Sequence, residues 1–216
     1  MDRAQFASKI DHTVLGPETG WTDVEGVLDE AIEVGTNACI PPCYVAEAAE
    51  YTPTVTLVTV CGFPHGQEST HTKVCEAERA WKDGADELDV VINLGRLLEG
   101  DTDSIGEELE RIGAAVTLPL KVIVEAPSLT EDQLRTACEL AEASGAAYVK
   151  TATGFGEGGA TVEDVRIMAE YLPVKASGGI GTFEEAREML EAGADRIGAS
   201  AGIEILDGFD PDAFDA

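Results

Sequence analysis

Short runs of Val, Ile and Leu recur along this chain, each followed by a loop, a Thr-led helical stretch and often a Gly-Ala pair before the next run. Eight runs read as strands: Ile10–Leu15, Thr36–Ile40, Val55–Val60, Glu87–Ile92, Leu120–Glu125, Ala147–Thr151, Pro173–Ala176 and Arg196–Ala199. Their near-continuous apolar content predicts parallel strands covered on both faces, with the intervening helices as crossovers. Thr22-x-x-Glu25, Thr130-x-x-Gln133 and Thr182-x-x-Glu185 have capping-box spacing, and Thr161-x-x-Asp164 is a weaker version. Gly35, Gly84, Gly145 and Gly193 mark helix ends, and Pro173 is expected to stop the helix that begins near Thr161. The echoes Gly84-Ala85-Asp86, Gly145-Ala146-Ala147 and Gly193-Ala194-Asp195 each precede an apolar run, as a repeated architectural unit requires.

Eight strand–helix units in 216 residues allow about 27 residues each, enough for a TIM (β/α)8 barrel with short loops. A doubly wound open sheet is the alternative, but no Gly-x-Gly-x-x-Gly follows the first strand. The glycines of Gly154-x-Gly156-x-Gly158-Gly159 come after the sixth strand and read as a flexible loop. One barrel domain over residues 1–216 is expected, with 203–216 as a C-terminal segment that frays at its tail.

Charge alters the picture of the surface. Forty-two acidic residues against 14 basic ones leave a net charge of −28, spread along the whole length. Nucleic-acid and anionic-membrane partners are excluded, since both need a basic face. A carboxylate-rich surface that stays soluble while salt screens its repulsion suits a saline cytoplasm. The start, Met1-Asp2-Arg3-Ala4-Gln5-Phe6, has no signal-peptide pattern, so a cytoplasmic location is expected. Five cysteines (Cys39, Cys43, Cys61, Cys75 and Cys138) without CxxC spacing read as reduced structural thiols.

The candidate chemistry lies at strand ends. Only six lysines occur, and two of them, in Val149-Lys150-Thr151 and Val174-Lys175-Ala176, follow a β-branched residue and precede small residues and glycines. A buried ammonium loses hydration, and two converging amines disfavour each other's charge, which prepares a lysine to attack a carbonyl. Ordinary ion-pairing is the alternative use. Asp89 lies between Leu88 and Val90, so alternation aims its carboxylate into the barrel, as a proton shuttle, a counter-ion to the lysines, or both. Asp11, Thr13, Cys39, Asn93, Glu125, Thr153, Ser177 and Ser200 complete the polar set at this mouth. Glycine-rich turns at Gly154, Gly178-Gly179 and Gly198-Ala199-Ser200 suit a phosphate held by backbone amides. His12, His65 and His71 lack metal-ligand spacing, so no metal or cofactor is expected, and no Gly-x-Ser-x-Gly elbow occurs.

In order along the chain, Asp11-His12-Thr13, Cys39-Ile40-Pro41-Pro42, Gly62-Phe63-Pro64-His65-Gly66, the run from Ala85 to Asn93, Lys121-Val122-Ile123-Val124-Glu125, Val149-Lys150-Thr151-Ala152-Thr153-Gly154-Phe155, Val174-Lys175-Ala176-Ser177-Gly178-Gly179-Ile180 and Arg196-Ile197-Gly198-Ala199-Ser200 resemble the deoxyribose-phosphate aldolase family. The resemblance implies a metal-independent class I aldolase on a TIM barrel that cleaves a sugar phosphate and releases acetaldehyde, commonly as a homo-oligomer. It makes Lys150 the Schiff-base lysine, Lys175 the second lysine that favours its neutral form, and Asp89 the proton relay. Asp11, Thr13, Cys39 and Thr153 fall at substrate positions, and Gly154, Gly178, Gly179, Gly198 and Ser200 at the phosphate turns. Gly181 and Phe155 depart from the pattern, because relatives often carry arginine and lysine at these two places. Rival readings are a Schiff-base aldolase for another sugar phosphate or keto acid, and a non-catalytic sugar-phosphate-binding barrel.

With a charge of −28 opposing compaction in dilute buffer, the thermal midpoint should rise between about 0.1 M and molar KCl. A scanning-calorimetry midpoint flat across that range would remove the saline reading.

Overall fold

The computed structural model describes residues 1–214. After a short helix α1 (Arg3–Ala7), the chain alternates strand and helix: β1 (Ile10–Thr13), α2 (Trp21–Val34), β2 (Asn37–Cys39), α3 (Val45–Tyr51), β3 (Leu57–Cys61), α4 (Thr70–Asp83) and β4 (Glu87–Val91). Two helices follow, α5 (Leu94–Glu99) and α6 (Thr102–Ala115), then β5 (Leu120–Ile123), α7 (Glu131–Ala143), β6 (Tyr148–Lys150), α8 (Val162–Met168), β7 (Val174–Ser177), α9 (Phe183–Ala192), β8 (Ala194–Ala199) and α10 (Gly202–Asp207). The eight strands pair in parallel and in sequence order, and β8 closes on β1 through Ile10–Ile197 and Asp11–Gly198. This is a (β/α)8 barrel. All eight expected strands form within a few residues of their expected bounds.

Strand alternation divides the protein into two interiors. Outward residues such as Ile10, Ala38, Leu88, Val90, Val122, Val149, Val174 and Ile197 pack with the helices into one continuous apolar shell. Inside the barrel the apolar cluster is small: Cys39, Val58 and Val60, with Leu15 and Phe63 against it. Beside it the interior carries the charged side chains of Asp11, Glu87, Asp89, Lys121, Lys150, Lys175 and Arg196.

Thr130, Thr161 and Thr182 accept N-terminal backbone N–H groups as N-caps of α7, α8 and α9, and Gln133 and Glu185 complete reciprocal boxes. Thr22 is a correction. Helix α2 starts two residues earlier than a Thr22 cap would set it, with Gly20 as N-cap and its N–H donated to the Asp23 carboxylate at 2.8 Å, so Thr22 lies inside the first turn. Pro173 is a second correction: α8 ends at Met168 and two turns intervene before the proline. The C-terminal segment is packed over residues 203–214. Ile205 and Leu206 are fully buried, and Phe209 and Phe214 stack around Phe6 and Phe183 at centroid distances of 5.2 to 6.2 Å. The outermost tail, residues 215 and 216, lies outside the described residues. Among the described residues no helix is long and apolar enough to cross a membrane.

One ion pair is buried in the shell between helices. Lys73 on α4 donates to Glu108 on α6 at 2.6 Å and to the Val91 carbonyl, at the end of β4, at 2.8 Å. Removing one partner strands the other charge in a low-dielectric interior. Lys73→Met should therefore cost roughly 3 to 5 kcal/mol in urea unfolding. The double variant Lys73→Met/Glu108→Leu should recover much of that loss; equal destabilisation of both would mean that the pair's charge is not what matters.

Candidate active site

The centre of the barrel is one carboxylate held by three ammonium groups. Alternation along β4 turns Asp89 inward, where Oδ1 accepts Lys121 Nζ at 3.0 Å and Oδ2 accepts both Lys150 Nζ at 2.9 Å and Lys175 Nζ at 2.7 Å. Asp11 on β1 pairs with Lys175 at 2.5 Å and accepts from Arg196 at 2.7 Å and Asn37 at 3.0 Å. Glu87 bridges Lys121 at 2.6 Å and Arg196 at 3.3 Å. Three carboxylates thus face four basic side chains, so one amine is in excess of the acids. Burial alone would raise the Asp89 pKa, but Lys121, Lys150 and Lys175 outweigh it and hold the carboxyl well below its usual range. Burial opposes the Lys175 ammonium, yet Asp11 and Asp89 together keep its pKa above that of an ordinary lysine. Lys121 is shifted up against the same burial penalty, chiefly by Asp89.

Above this cluster a cavity of about 350 Å³ opens at the C-terminal ends of the strands. Lys150 lines it; Lys121 and Lys175 are fully buried beneath. Phe63 lies beside the Lys150 amine, 6.0 Å from Nζ to the ring centroid. The far wall is made of turns. Gly178 and Gly179 have φ of 93° and 75°, conformations that a Cβ would strain. The backbone N–H groups of Gly179, Ile180 and Ser200 donate to no protein acceptor among the described residues, and all three residues line the cavity. Gly198 has a different task as well: a Cβ there would sit 2.8 Å from Lys175 Cε, so the glycine makes room for the buried lysine.

The structure brings Lys150, Thr13, Thr153, Gly154, Gly178, Gly179, Gly198 and Ser200 to one cavity, with Asp89 and Lys175 directly behind Lys150. Two expected substrate residues lie elsewhere. Asp11 is fully buried below the cavity as counter-ion to Lys175 and Arg196, because the β1 register sets it against Gly198 and Asn37 rather than at the mouth. Cys39 lies in the apolar patch with Val58 and Val60, where burial is the largest influence and pushes its thiol pKa up. Its neighbour across the sheet is Val58 on β3, and both point into the barrel below the cavity lining. Lys121, Glu87 and Arg196 were not singled out as site residues in the sequence. Lys121 stands between Leu120 and Val122 in a strand, the same setting that Leu88 and Val90 give Asp89. Among the described residues no group of three His, Cys, Asp or Glu side chains is placed to hold a metal ion. His12 faces away from the cavity and bonds Glu30 at 2.7 Å.

Residues 6–208 match the DeoC/LacD family of aldolases. Over 215 residues, and 100% of both chains, the protein is 67% identical to one from Natronomonas pharaonis named deoxyribose-phosphate aldolase. A protein of the same name from Halobacterium salinarum is 54% identical over 210 residues, which span 97% of this chain and 99% of that one. Both sources are halophilic archaea, in keeping with the acidic surface. Among solved structures, the tetrameric deoxyribose phosphate aldolase of Aeropyrum pernix superimposes with a TM-score of 0.87 at 32% identity, covering 95% of this chain and 91% of that one.

The Asp11 carboxyl is testable through acid unfolding. Burial raises its pKa, but Lys175, Lys121 and Arg196 bring it from 3.8 down to about 2. A group depressed on folding adds stability above its unfolded pKa and loses it as pH falls through the folded one. Stability should fall between pH 3.8 and about 2, and in Asp11→Asn the fall should be smaller by about 2 kcal/mol in urea titrations. An unchanged fall would mean that Asp11 is not held ionised by these partners.

Proposed function

The chain belongs to the DeoC/LacD family of aldolases and is a carbon–carbon lyase, and from that premise we propose that it cleaves 2-deoxy-D-ribose 5-phosphate reversibly to D-glyceraldehyde 3-phosphate and acetaldehyde through an imine on Lys150. One observation carries the choice of lysine: of the three amines on Asp89, only that of Lys150 reaches the cavity.

The reaction begins with the free Lys150 amine attacking C1 of the open-chain aldehyde and losing water to form an iminium. Lys175, held protonated between Asp11 and Asp89, sets a second positive charge on the Asp89 oxygen that the Lys150 amine shares. Asp89, relaying through water, takes up the proton of the C3 hydroxyl as the C2–C3 bond breaks and its electron pair moves onto the iminium. A carboxylate tied to three ammonium groups is a weak base. Once Lys150 becomes an imine it offers Oδ2 fewer N–H donors, which restores acceptor capacity at the step that needs it. The triose aldehyde leaves, and the enamine is protonated at C2 and hydrolysed to acetaldehyde.

The phosphate would be taken by the backbone N–H groups of Gly179, Ile180 and Ser200, with Gly154 and Gly178 shaping the turns. Gly181 supplies no guanidinium, and its N–H is already given to Glu185 at 2.8 Å. Phe155 adds no charge; it packs edge-on against Phe63 at 5.3 Å. Phosphate recognition in this chain is therefore a backbone affair, and dissolved salt assists it by screening an acidic surface from an anionic substrate. A homo-oligomeric enzyme of the cytoplasm is part of the same reading.

Borohydride reduction in the presence of acetaldehyde should label a single peptide, the one containing Lys150. Lys150→Ala should lose label and turnover together, and Lys175→Leu should keep slow labelling. Asp89→Asn should still label but lose about 10²- to 10⁴-fold in kcat, the usual worth of a positioned acid–base group. Label on Lys175, or none on an active protein, would overturn the mechanism.

A further inference from the structure

Glu125 is the one non-glycine residue with positive φ among the described residues, at φ 55° and ψ 53°, just past the end of β5. A side chain pays for that conformation in steric strain, so the surrounding structure must hold it there. Hydrogen bonds on both sides do so: Val124 N–H donates to the Lys150 carbonyl at 3.1 Å and Ala126 N–H to the Thr151 carbonyl at 2.8 Å. The chain is thereby turned so that the nearly buried Glu125 carboxylate faces the loop after β6 and not the cavity. No Lys, Arg or His pairs with it among the described residues. Its hydrogen-bond partner there is the Thr153 N–H, at 3.1 Å to Oε2.

That loop is gripped at successive points. A Cβ on Gly156 would come within 2.9 Å of Glu125 Oε1, and one on Gly158 within 2.8 Å of Pro127 Cβ. Further on, a Cβ on Gly159 would fall 2.4 Å from the Gly178 carbonyl oxygen, which accepts the Ala160 N–H at 2.9 Å. The loop glycines thus let backbone lie directly on Glu125 at one end and on the Gly178 turn at the other. Sequence reading takes these glycines as signs of a flexible loop; the contacts make them signs of close approach.

We propose that Glu125 is a positioning residue that acts through this loop, fixing Thr153 and Gly154 at the cavity and, by way of Gly159, the phosphate turn at Gly178. It touches neither substrate nor the lysines. The inference rests on the phosphate reading above, and the two fail differently, since borohydride labelling at Lys150 with acetaldehyde needs no phosphate.

Three variants test it. Glu125→Gly keeps the backbone conformation at lower strain but removes the acceptor. It should raise KM for deoxyribose 5-phosphate about tenfold, the worth of a hydrogen bond to a charged group. Changes in kcat, in KM for unphosphorylated deoxyribose and in Lys150 labelling should stay within about twofold. Glu125→Gln retains an acceptor oxygen and should restore KM to within about twofold of the parent. Gly156→Ala pushes a methyl group against the carboxylate without altering Glu125, and should reproduce the KM defect even if Glu125→Gly fails to fold. A KM unchanged in Glu125→Gly, a Gln variant as impaired as the Gly variant, or equal losses with phosphorylated and free sugar would each overturn the proposal. Loss of labelling in the parent protein would instead sink the imine mechanism.

Discussion

Everything at the centre of this barrel depends on the sharing of one carboxylate. Asp89 is fully buried, and a lone ionised carboxylate there would face a desolvation cost of several kcal/mol. Three ammonium donors on its two oxygens offset that cost, and each donor comes from a different strand, β5, β6 and β7. The parallel register that opposes Lys121 to Asp89 and Lys150 to Lys175 is therefore also the register that makes the charges solvable. A slip of one residue in any of these strands would turn a lysine into the apolar shell and leave its carboxylate unmatched.

The arrangement has two tiers. Asp11, Glu87, Lys121 and Arg196 form a lower layer that holds Lys175 and Asp89 in place; Lys150 stands above it at the cavity floor. Glycines complete the design where side chains cannot. Gly198 clears space for Lys175 below, while Gly178 and Gly179 form the turn that leaves N–H groups facing the cavity above. Lys150 ends β6 and the Gly178–Gly179 turn follows β7, so the pairing of these two adjacent strands fixes the distance between the Lys150 amine and the turn.

Charge is distributed with an opposite logic outside. Of the six lysines, Lys73, Lys121, Lys150 and Lys175 are buried in ion pairs, so lysine contributes almost nothing to the surface. The exposed cations that remain are largely arginines in short-range helical pairs, such as Arg187 with Glu184 and Glu191. Such pairs stabilise little. They leave most of the 42 acidic side chains facing solvent, which ties the stability of the shell to the salt around it.

The eight strands, the repeat and the barrel class were legible in the sequence, because apolar runs separated by capped helices are local signals. Lys150, Lys175 and Asp89 were legible for the same reason: a charge set between apolar or β-branched neighbours in a strand announces an inward position. Lys121 stands in the same setting between Leu120 and Val122, and Arg196 and Glu87 share its inward alternation. What the sequence could not decide was height along the barrel. Asp11 and Thr13 lie two residues apart on one strand, yet one is a buried counter-ion and the other lines the cavity. Cys39, also inward, falls in the apolar patch with Val58 and Val60 below the cavity for a similar reason. Thr22 has capping-box spacing, but Gly20 with Asp23 starts the helix earlier, and helix starts are settled by which backbone group is free. The loop glycines from Gly154 to Gly159 look mobile in sequence and are close contacts in space, with Glu125 strained beneath them. Period and flanking chemistry set which face a residue takes; the stagger of parallel strands around a closed barrel sets which layer it joins, and that depends on every other strand at once.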